Sequence, residues 1–137
     1  MANTSTYLNF AGTTEAAFRF YASVFGGELS PIHRIGDAPP MPGAPPLSDA
    51  EKNLVMHVET PILGGHVLMG TDLVESLGHK LVEGNNVSIN LEPDSREDTD
   101  RLFNALAEGG KAEMPLTDMF WGAYFGTLVD RFGTRWM

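Results

Sequence analysis

The chain has 137 residues, a net charge of −9, 42% hydrophobic residues and no cysteine. Such a length and composition are typical of a single globular domain, and the lack of cysteine excludes disulfides and thiolate chemistry. The excess of acids disfavours binding to nucleic acid or anionic lipid, because phosphate groups repel a negative surface. The sequence has no apolar run of membrane-spanning length and no signal-peptide pattern in MANTSTYLNF, so we expect a cytoplasmic protein that does not bind membranes.

Residues 1–27 are predicted to form a strand followed by an amphipathic helix. Residues 5–11 (STYLNFA) read as a short strand that ends at Gly12. Thr13 or Thr14 can cap the helix, and Gly26-Gly27 end it, because glycine readily adopts the left-handed conformation that closes many helices. Helical spacing places the buried stripe at Ala17, Phe20, Tyr21, Val24 and Phe25.

Residues 28–72 are predicted to supply three more strands. Residues 28–36 suit a strand in which Pro31 indicates an edge or a bulge. Residues 37–49 (DAPPMPGAPPLSD) hold five of the nine prolines, so they cannot form a helix or a central strand. This proline-rich loop is either a stiff connector or a lid over a functional site. Residues 53–60 and 65–72 then read as the two arms of a hairpin.

The second half of the chain repeats this order after a polar connection. Residues 87–93 (VSINLEP) alternate between apolar and polar positions, as a strand does. Asp94 or Ser95 can cap the following helix, and the helix dipole favours the acids in its first turn. The buried stripe of this helix is predicted at Thr99, Leu102, Phe103 and Leu106, and the three closing strands at residues 111–119, 122–130 and 134–137.

The order strand–helix–strand–strand–strand therefore occurs twice. Gly26-Gly27 and Gly109-Gly110 end the two helices and lie 83 positions apart, each pair being followed by a strand. The duplication predicts an α+β fold of two tandem βαβββ modules, about residues 1–83 and 84–137, which together form one domain over residues 1–137.

Aromatic residues concentrate at the C-terminal end of the chain. Residues 120–137 (FWGAYFGTLVDRFGTRWM) hold both tryptophans and nearly half of all Phe, Tyr and Trp side chains. Strand alternation points Tyr124 and Phe125 to opposite faces of the sheet. The aromatics either line a cavity, with Phe120, Trp121 and one of Tyr124 or Phe125 in its wall and Trp136 nearby, or belong to the core and a subunit interface.

Four segments spread along the chain resemble one known superfamily. These segments read AAFRFYASVFGGE, GDAPPMPGAPP, HVLMGTD and FWGAYFGTLVDRFGTRWM. Together with the duplicated βαβββ order, they resemble the vicinal oxygen chelate superfamily of glyoxalases, bleomycin-resistance proteins and extradiol dioxygenases, and within it the PhnB-like branch. The resemblance implies that each module curls into an incomplete barrel around a cavity and that the protein is a homodimer.

The resemblance also implies positions for a divalent metal. Enzymes of the superfamily take metal ligands from the first and last strands of each module, which correspond here to approximately Thr6, Met69, Asn86 and Met137. None of these residues is His or Glu, and thioethers with an amide are poor ligands for a hard metal. We therefore expect no metal and no cofactor.

Resistance proteins of the superfamily sequester a ligand rather than convert it, so the resemblance implies a protein that binds a small organic molecule in an aromatic-lined cavity. The residues expected to bind that molecule are Tyr7, Asn9, His57, Met69, Asn90, Phe120, Trp121, Tyr124 and Trp136.

A metal-dependent lyase, isomerase or dioxygenase is the alternative interpretation. His57 and His66 lie on the two arms of the predicted hairpin, and Glu59 or Glu75 could complete a two-histidine, one-carboxylate set for non-haem iron. The two histidines could equally be ordinary surface residues, since the sequence has no HExxH spacing.

Other catalytic patterns are weak. Asp118 and Asp130 flank the aromatic segment and read either as an acid/base pair or, for Asp130, as part of a tight turn. A glycine-rich nucleotide loop after a strand would favour a methyltransferase, and the sequence has no such loop. Whether the protein is an enzyme stays open at this stage.

Overall fold

The computed structural model describes all 137 residues and divides into two compact units, residues 1–82 and 83–137. Each unit combines helix with sheet, which confirms the expected α+β class. None of the helices has the length and apolar character needed to cross a membrane.

The first unit is a four-stranded sheet with one long helix. Its strands are arranged in the order β1-β4-β3-β2, with β1 parallel to β4 and the other neighbours antiparallel. The proline-rich loop ends in a short helix that Ser48 caps. The elements are β1 (Thr6–Phe10), α1 (Thr14–Phe25), β2 (His33–Arg34), α2 (Asp49–Lys52), β3 (Val55–Pro61) and β4 (Val67–Asp72).

Helix α1 covers one face of this sheet. A Cβ built on Gly70 of β4 would overlap the Phe18 ring and would lie 3.1 Å from the Thr14 methyl group, so the helix packs directly on the backbone there. The even-numbered positions of β1 and β4 therefore face α1, and the odd-numbered positions form the opposite, open face. The buried residues of this unit include Phe10, Ala17, Phe18, Tyr21, Val55, Val58 and Leu68.

Two expectations for the first unit need correction. Thr13 stands at the N-cap position of α1 but its side chain makes no capping bond. The carboxylate of Asp72 accepts bonds there instead, from the backbone N–H of Gly12 and from the N–H and hydroxyl of Thr14. The strand expected over residues 28–36 is reduced to β2, because the chain turns into a single 3-10 turn at Ile35–Asp37.

The second unit has one helix and a three-stranded antiparallel sheet in the order β5-β6-β7. Ser95 caps the helix as expected, by accepting a bond from the N–H of Asp98. Strand β5 is an edge strand with two register irregularities, and it contains Pro115. The elements are α3 (Arg96–Ala107), β5 (Lys111–Asp118), β6 (Tyr124–Val129) and β7 (Arg135–Trp136).

The strand expected over residues 87–93 is only partly formed. Ile89 makes an isolated parallel bridge with Trp136, and its N–H donates to the carbonyl of Arg135. Leu91 N–H likewise donates to the carbonyl of Met137. This segment therefore pairs with the last residues of the chain without becoming a regular strand.

Candidate functional site

A cavity of about 670 Å³ lies between α3 and the sheet of the second unit. The stripe of α3 supplies one wall through Leu102, Phe103 and Leu106, and the sheet supplies the other. The lining also includes Asn90, Leu91, Glu92, Pro93, Asp94, Ser95, Arg96, Thr99, Leu116, Trp121, Ala123, Tyr124, Phe125, Gly126, Leu128, Trp136 and Met137.

Gly126 determines how closely α3 approaches the sheet. A Cβ at this position would lie 2.9 Å from Cε2 of Phe103 and 2.9 Å from the carbonyl oxygen of Met114. The missing side chain therefore lets the Phe103 ring rest directly on the strand. Any larger residue would have to displace this ring, which is part of the cavity wall.

Arg96 and Tyr124, which both line the cavity, form a polar cluster with Asp118 and Asp100. The guanidinium of Arg96 stacks over the Tyr124 ring, 3.9 Å from its centroid, and donates a 2.6 Å hydrogen bond to Asp118. This bond raises the pKa of Arg96 and lowers the pKa of Asp118. The Tyr124 hydroxyl donates to Asp100 at 2.5 Å, which raises the pKa of Tyr124. Arg96 and Asp118 thus form an ion pair, and Tyr124 is held by Arg96 at its ring and by Asp100 at its hydroxyl.

The aromatic segment divides between this cavity and the protein surface. Asn90, Trp121, Tyr124 and Trp136, all expected at a ligand site, line the cavity. Phe120 does not: it is 97% exposed and packs only edge-on against the Trp121 ring, with centroids 5.0 Å apart. Both Tyr124 and Phe125 line the cavity, although strand alternation predicted only one of them, because Tyr124 is the first residue of β6.

The expected residues of the first half lie together on the open face of the first unit. Tyr7 and Met69 are register partners on β1 and β4, and Asn9 pairs with Thr71 two positions further along. His57 on β3 joins them through a hydrogen bond between its Nδ1 and the Tyr7 hydroxyl, 3.2 Å long. The structure therefore brings these four residues onto one surface.

Glu59 extends this group into a chain of three hydrogen-bonded side chains. Its Oε2 lies 3.0 Å from Nε2 of His57, so the imidazole connects the Tyr7 hydroxyl to a carboxylate. All three side chains are partly exposed to solvent, with Tyr7 at 47%. We call Tyr7, His57 and Glu59 the open-face triad.

A divalent metal does not fit the residues proposed for it. Nε2 of His66 lies 2.8 Å from the hydroxyl of Thr6, on the α1 side of the sheet, whereas His57 belongs to the open face. Thr6 and Met69 are likewise separated by the sheet, since Thr6 pairs with Leu68 and Tyr7 with Met69. Nowhere does the structure bring three His, Asp or Glu side chains together in a metal-binding arrangement.

Asp118 and Asp130 do not form an acid/base pair. Asp118 is exposed and bound to Arg96. Asp130 is buried and accepts bonds from the N–H groups of Phe132 and Thr134, which confirms the tight turn.

Sequence reasoning missed Arg96, which lines the cavity, and Asp100, which binds the Tyr124 hydroxyl. Neither was among the expected site residues. Their spacing of four positions in the first turns of α3 places them on one side of the helix, and this was the available signal. Which strand residue they would meet depends on the packing of α3, which the spacing alone does not specify.

A family model described as 3-demethylubiquinone-9 3-methyltransferase matches residues 2–137. The chain is also 30% identical over 138 residues to Protein YjdN of Escherichia coli (strain K12), covering 97% of this chain and 91% of that protein.

Solved structures agree with this match. The crystal structure of protein PA1353 from Pseudomonas aeruginosa is 36% identical, with a TM-score of 0.85 over 100% of this chain and 96% of that one. A PhnB protein from Bacillus cereus is 26% identical, with a TM-score of 0.76 over 98% and 96% of the two chains. A possible glyoxalase from Bacillus cereus shares the fold at 19% identity and a TM-score of 0.57, covering 98% and 96%. The expected glyoxalase-like α+β fold is confirmed.

Proposed function

The chain belongs to the 3-demethylubiquinone-9 3-methyltransferase family, in the PhnB-like branch of the vicinal oxygen chelate superfamily, and on this basis we propose that it binds a small organic molecule in the cavity of residues 83–137. The observation that carries the proposal is the size and lining of that cavity. A volume of about 670 Å³ is in the range of small-molecule sites, and aliphatic and aromatic side chains supply most of the wall.

The chemistry of the lining favours a flat, largely apolar ligand. Trp121, Phe125 and Trp136 offer aromatic surface, while Ser95, Thr99 and Asn90 supply a few polar atoms that can orient the ligand. Arg96 is already paired with Asp118, so a charged ligand would have to compete with that carboxylate. We therefore propose a neutral aromatic or polycyclic molecule rather than a strong acid.

We propose that binding requires no metal. The two histidines of the alternative set lie on opposite faces of one sheet, which argues against a metal-dependent lyase, isomerase or dioxygenase built on them. Added zinc, iron, nickel or manganese should leave the melting temperature unchanged. A stoichiometric metal in protein purified without chelator, lost in His57→Ala, would favour that alternative.

The family description names a methyl transfer, but this chain does not show the glycine-rich nucleotide loop that would favour a methyltransferase. The loop between β1 and α1 contains one glycine, Gly12, rather than a glycine-rich nucleotide loop. The proposal is therefore limited to binding of the organic molecule.

The test uses the two tryptophans, which both line the cavity. A panel of small aromatic compounds is titrated against the protein while tryptophan fluorescence and melting temperature are followed. Ala123→Leu should fill part of the cavity and weaken binding of each hit at least about tenfold, which corresponds to about 1.4 kcal/mol.

Ala112→Leu is the matched control, because Ala112 is exposed on β5 and outside the cavity lining. It should leave the affinity of every hit unchanged. The proposal fails if no compound changes the fluorescence, or if the two leucine variants weaken binding equally.

We also propose that the protein acts as a homodimer in the cytoplasm. The family resemblance supports the dimer, and the exposed Phe120–Trp121 pair offers an apolar contact surface for a second copy. Sedimentation at micromolar concentration should give twice the chain mass of 14.9 kDa, and Phe120→Ser should shift the population towards that chain mass. A single 14.9 kDa species for the unmodified protein would refute the dimer.

A further inference from the structure

The open-face triad lies outside both the core and the cavity, and the binding proposal does not use it. We propose that Tyr7, His57 and Glu59 form a proton relay, in which the Tyr7 oxygen binds the hydroxyl group of a small phenol and accepts its proton. None of the three residues belongs to the lining of the cavity of residues 83–137.

The direction of the relay follows from its hydrogen bonds. An ionised carboxylate can only accept, so the 3.0 Å contact with Glu59 requires the proton to be on Nε2 of His57. In the neutral imidazole, Nδ1 is then the acceptor, and the Tyr7 hydroxyl donates to it across 3.2 Å. The lone pairs of the Tyr7 oxygen are left pointing away from His57 and can accept a bond from a ligand.

The proton balance is complete without any further reagent. The O–H bond of the phenol breaks and its proton moves to the Tyr7 oxygen, while the proton of Tyr7 moves to Nδ1 of His57. The products are a phenolate and an imidazolium, and the imidazolium is stabilised by the carboxylate of Glu59. Glu59 thus acts as a positioning residue that fixes the tautomer of His57.

The surroundings of Tyr7 suit a phenolic ring. Because the proton ends on the imidazole of His57, the relay favours an acidic phenol, whose acidity is close to that of an imidazolium. The thioether of Met69, the register partner of Tyr7, lies on the same face and can pack against an aromatic ring. On the strands that flank β3, the titratable or charged side chains are His33 and Arg34 on β2 and Asp72 on β4. His33 is the register partner of His57, Arg34 is paired with Glu15, and Asp72 binds the start of α1 on the opposite face.

The probe is 4-nitrophenol, whose phenolate absorbs visible light and whose neutral form does not. At neutral pH, addition of the unmodified protein should increase the phenolate band saturably. Tyr7→Phe removes only the hydroxyl and should abolish this increase. Glu59→Gln should reduce the apparent affinity about tenfold, because the imidazolium loses its charged partner.

Two controls make the result specific to the triad. Ala112→Leu, which changes an exposed residue of β5 outside both the triad and the cavity, should leave the phenolate increase unchanged. The ¹⁵N chemical shifts of His57 should show the Nε2–H tautomer in the unmodified protein, and this tautomer should no longer predominate in Glu59→Gln. A purely structural role of Glu59 would leave the tautomer of His57 unchanged. Circular dichroism of each variant checks that the fold is retained.

The proposal is overturned if 4-nitrophenol shows no added phenolate with the unmodified protein, if Tyr7→Phe gives the same increase, or if Ala112→Leu alone removes it. An increase lost in Tyr7→Phe and weakened in Glu59→Gln supports it.

Discussion

The indole N–H of Trp136 donates a 2.9 Å hydrogen bond to Oδ2 of Asp130, and both side chains are buried. The other oxygen of this carboxylate accepts from the backbone N–H groups of Phe132 and Thr134. One carboxylate therefore holds the turn between β6 and β7 and also fixes an aromatic ring that lines the cavity.

We predict that Asp130→Asn lowers the free energy of unfolding by about 1–3 kcal/mol, because its amide nitrogen cannot accept one of these buried bonds. Urea denaturation followed by circular dichroism measures the change. Asp118→Asn is the control, since Asp118 is exposed and its carboxylate binds Arg96 on the surface. Equal effects of the two substitutions would contradict the assigned role of Asp130.

Asp72 is predicted to control the start of α1. It accepts from Gly12 and Thr14 through Oδ1, and from the N–H of Val55 through Oδ2. Asp72→Asn should lower the free energy of unfolding by about 1.5–3 kcal/mol, as expected for buried bonds to a charged acceptor.

The N-cap residues of the two long helices, Thr13 of α1 and Ser95 of α3, provide a comparison for the start of α1. Thr13→Ala should have little effect, because Thr13 makes no side-chain capping bond. Ser95→Ala should lower stability by about 1 kcal/mol, because Ser95 does make one. A large effect of Thr13→Ala would show that the cap of α1 has been assigned to the wrong residue.

Gly70 is predicted to be intolerant of any side chain. Gly70→Ala would place a methyl group against the Phe18 ring and should lower the melting temperature through a loss of about 1–3 kcal/mol. Gly84→Ala is the matched control, since its nearest neighbour would be the Asn86 side chain at 3.5 Å, an ordinary contact. Thermal unfolding of both variants distinguishes overpacking from a general effect of replacing glycine.

Glu15 should contribute to stability only above acidic pH. Hydrogen bonds from Arg34 and Arg19 lower its pKa in the folded protein. Because the folded pKa is below the unfolded value of about 4.3, the stabilisation is present above that pH and is lost as pH falls through the folded pKa.

Glu15→Gln should therefore lower the free energy of unfolding at neutral pH by less than about 1 kcal/mol, since all the groups are partly exposed. The difference from the unmodified protein should disappear below the folded pKa. Denaturation series at several pH values test this, and a difference that persists in acid would refute it.

The sequence was sufficient to predict the positions of elements with long, periodic patterns of apolar residues. Helices α1 and α3 and the hairpin of β3 and β4 lie where apolar spacing and glycines predicted them. The alternation of residues 87–93 predicted a regular strand, but the extent of pairing there depends on where the last residues of the chain lie.

The face of the sheet that a side chain occupies depends on strand register. Tyr7 and Thr6 are neighbours in sequence, yet Tyr7 joins His57 on the open face and Thr6 joins His66 on the other. A shift by one residue would exchange them. Phe120 and Trp121 lie in the turn between β5 and β6, and of the two only Trp121 lines the cavity.

The irregular edge strand β5 limits how copies of this chain can associate. Pro115 lacks an N–H group, and two register irregularities interrupt the regular ladder on this strand. A second copy would find no continuous row of backbone groups to extend, so β5 is a poor template for fibril growth. Self-association of this unit should therefore proceed through side chains and stop at a defined size rather than propagate along the sheet.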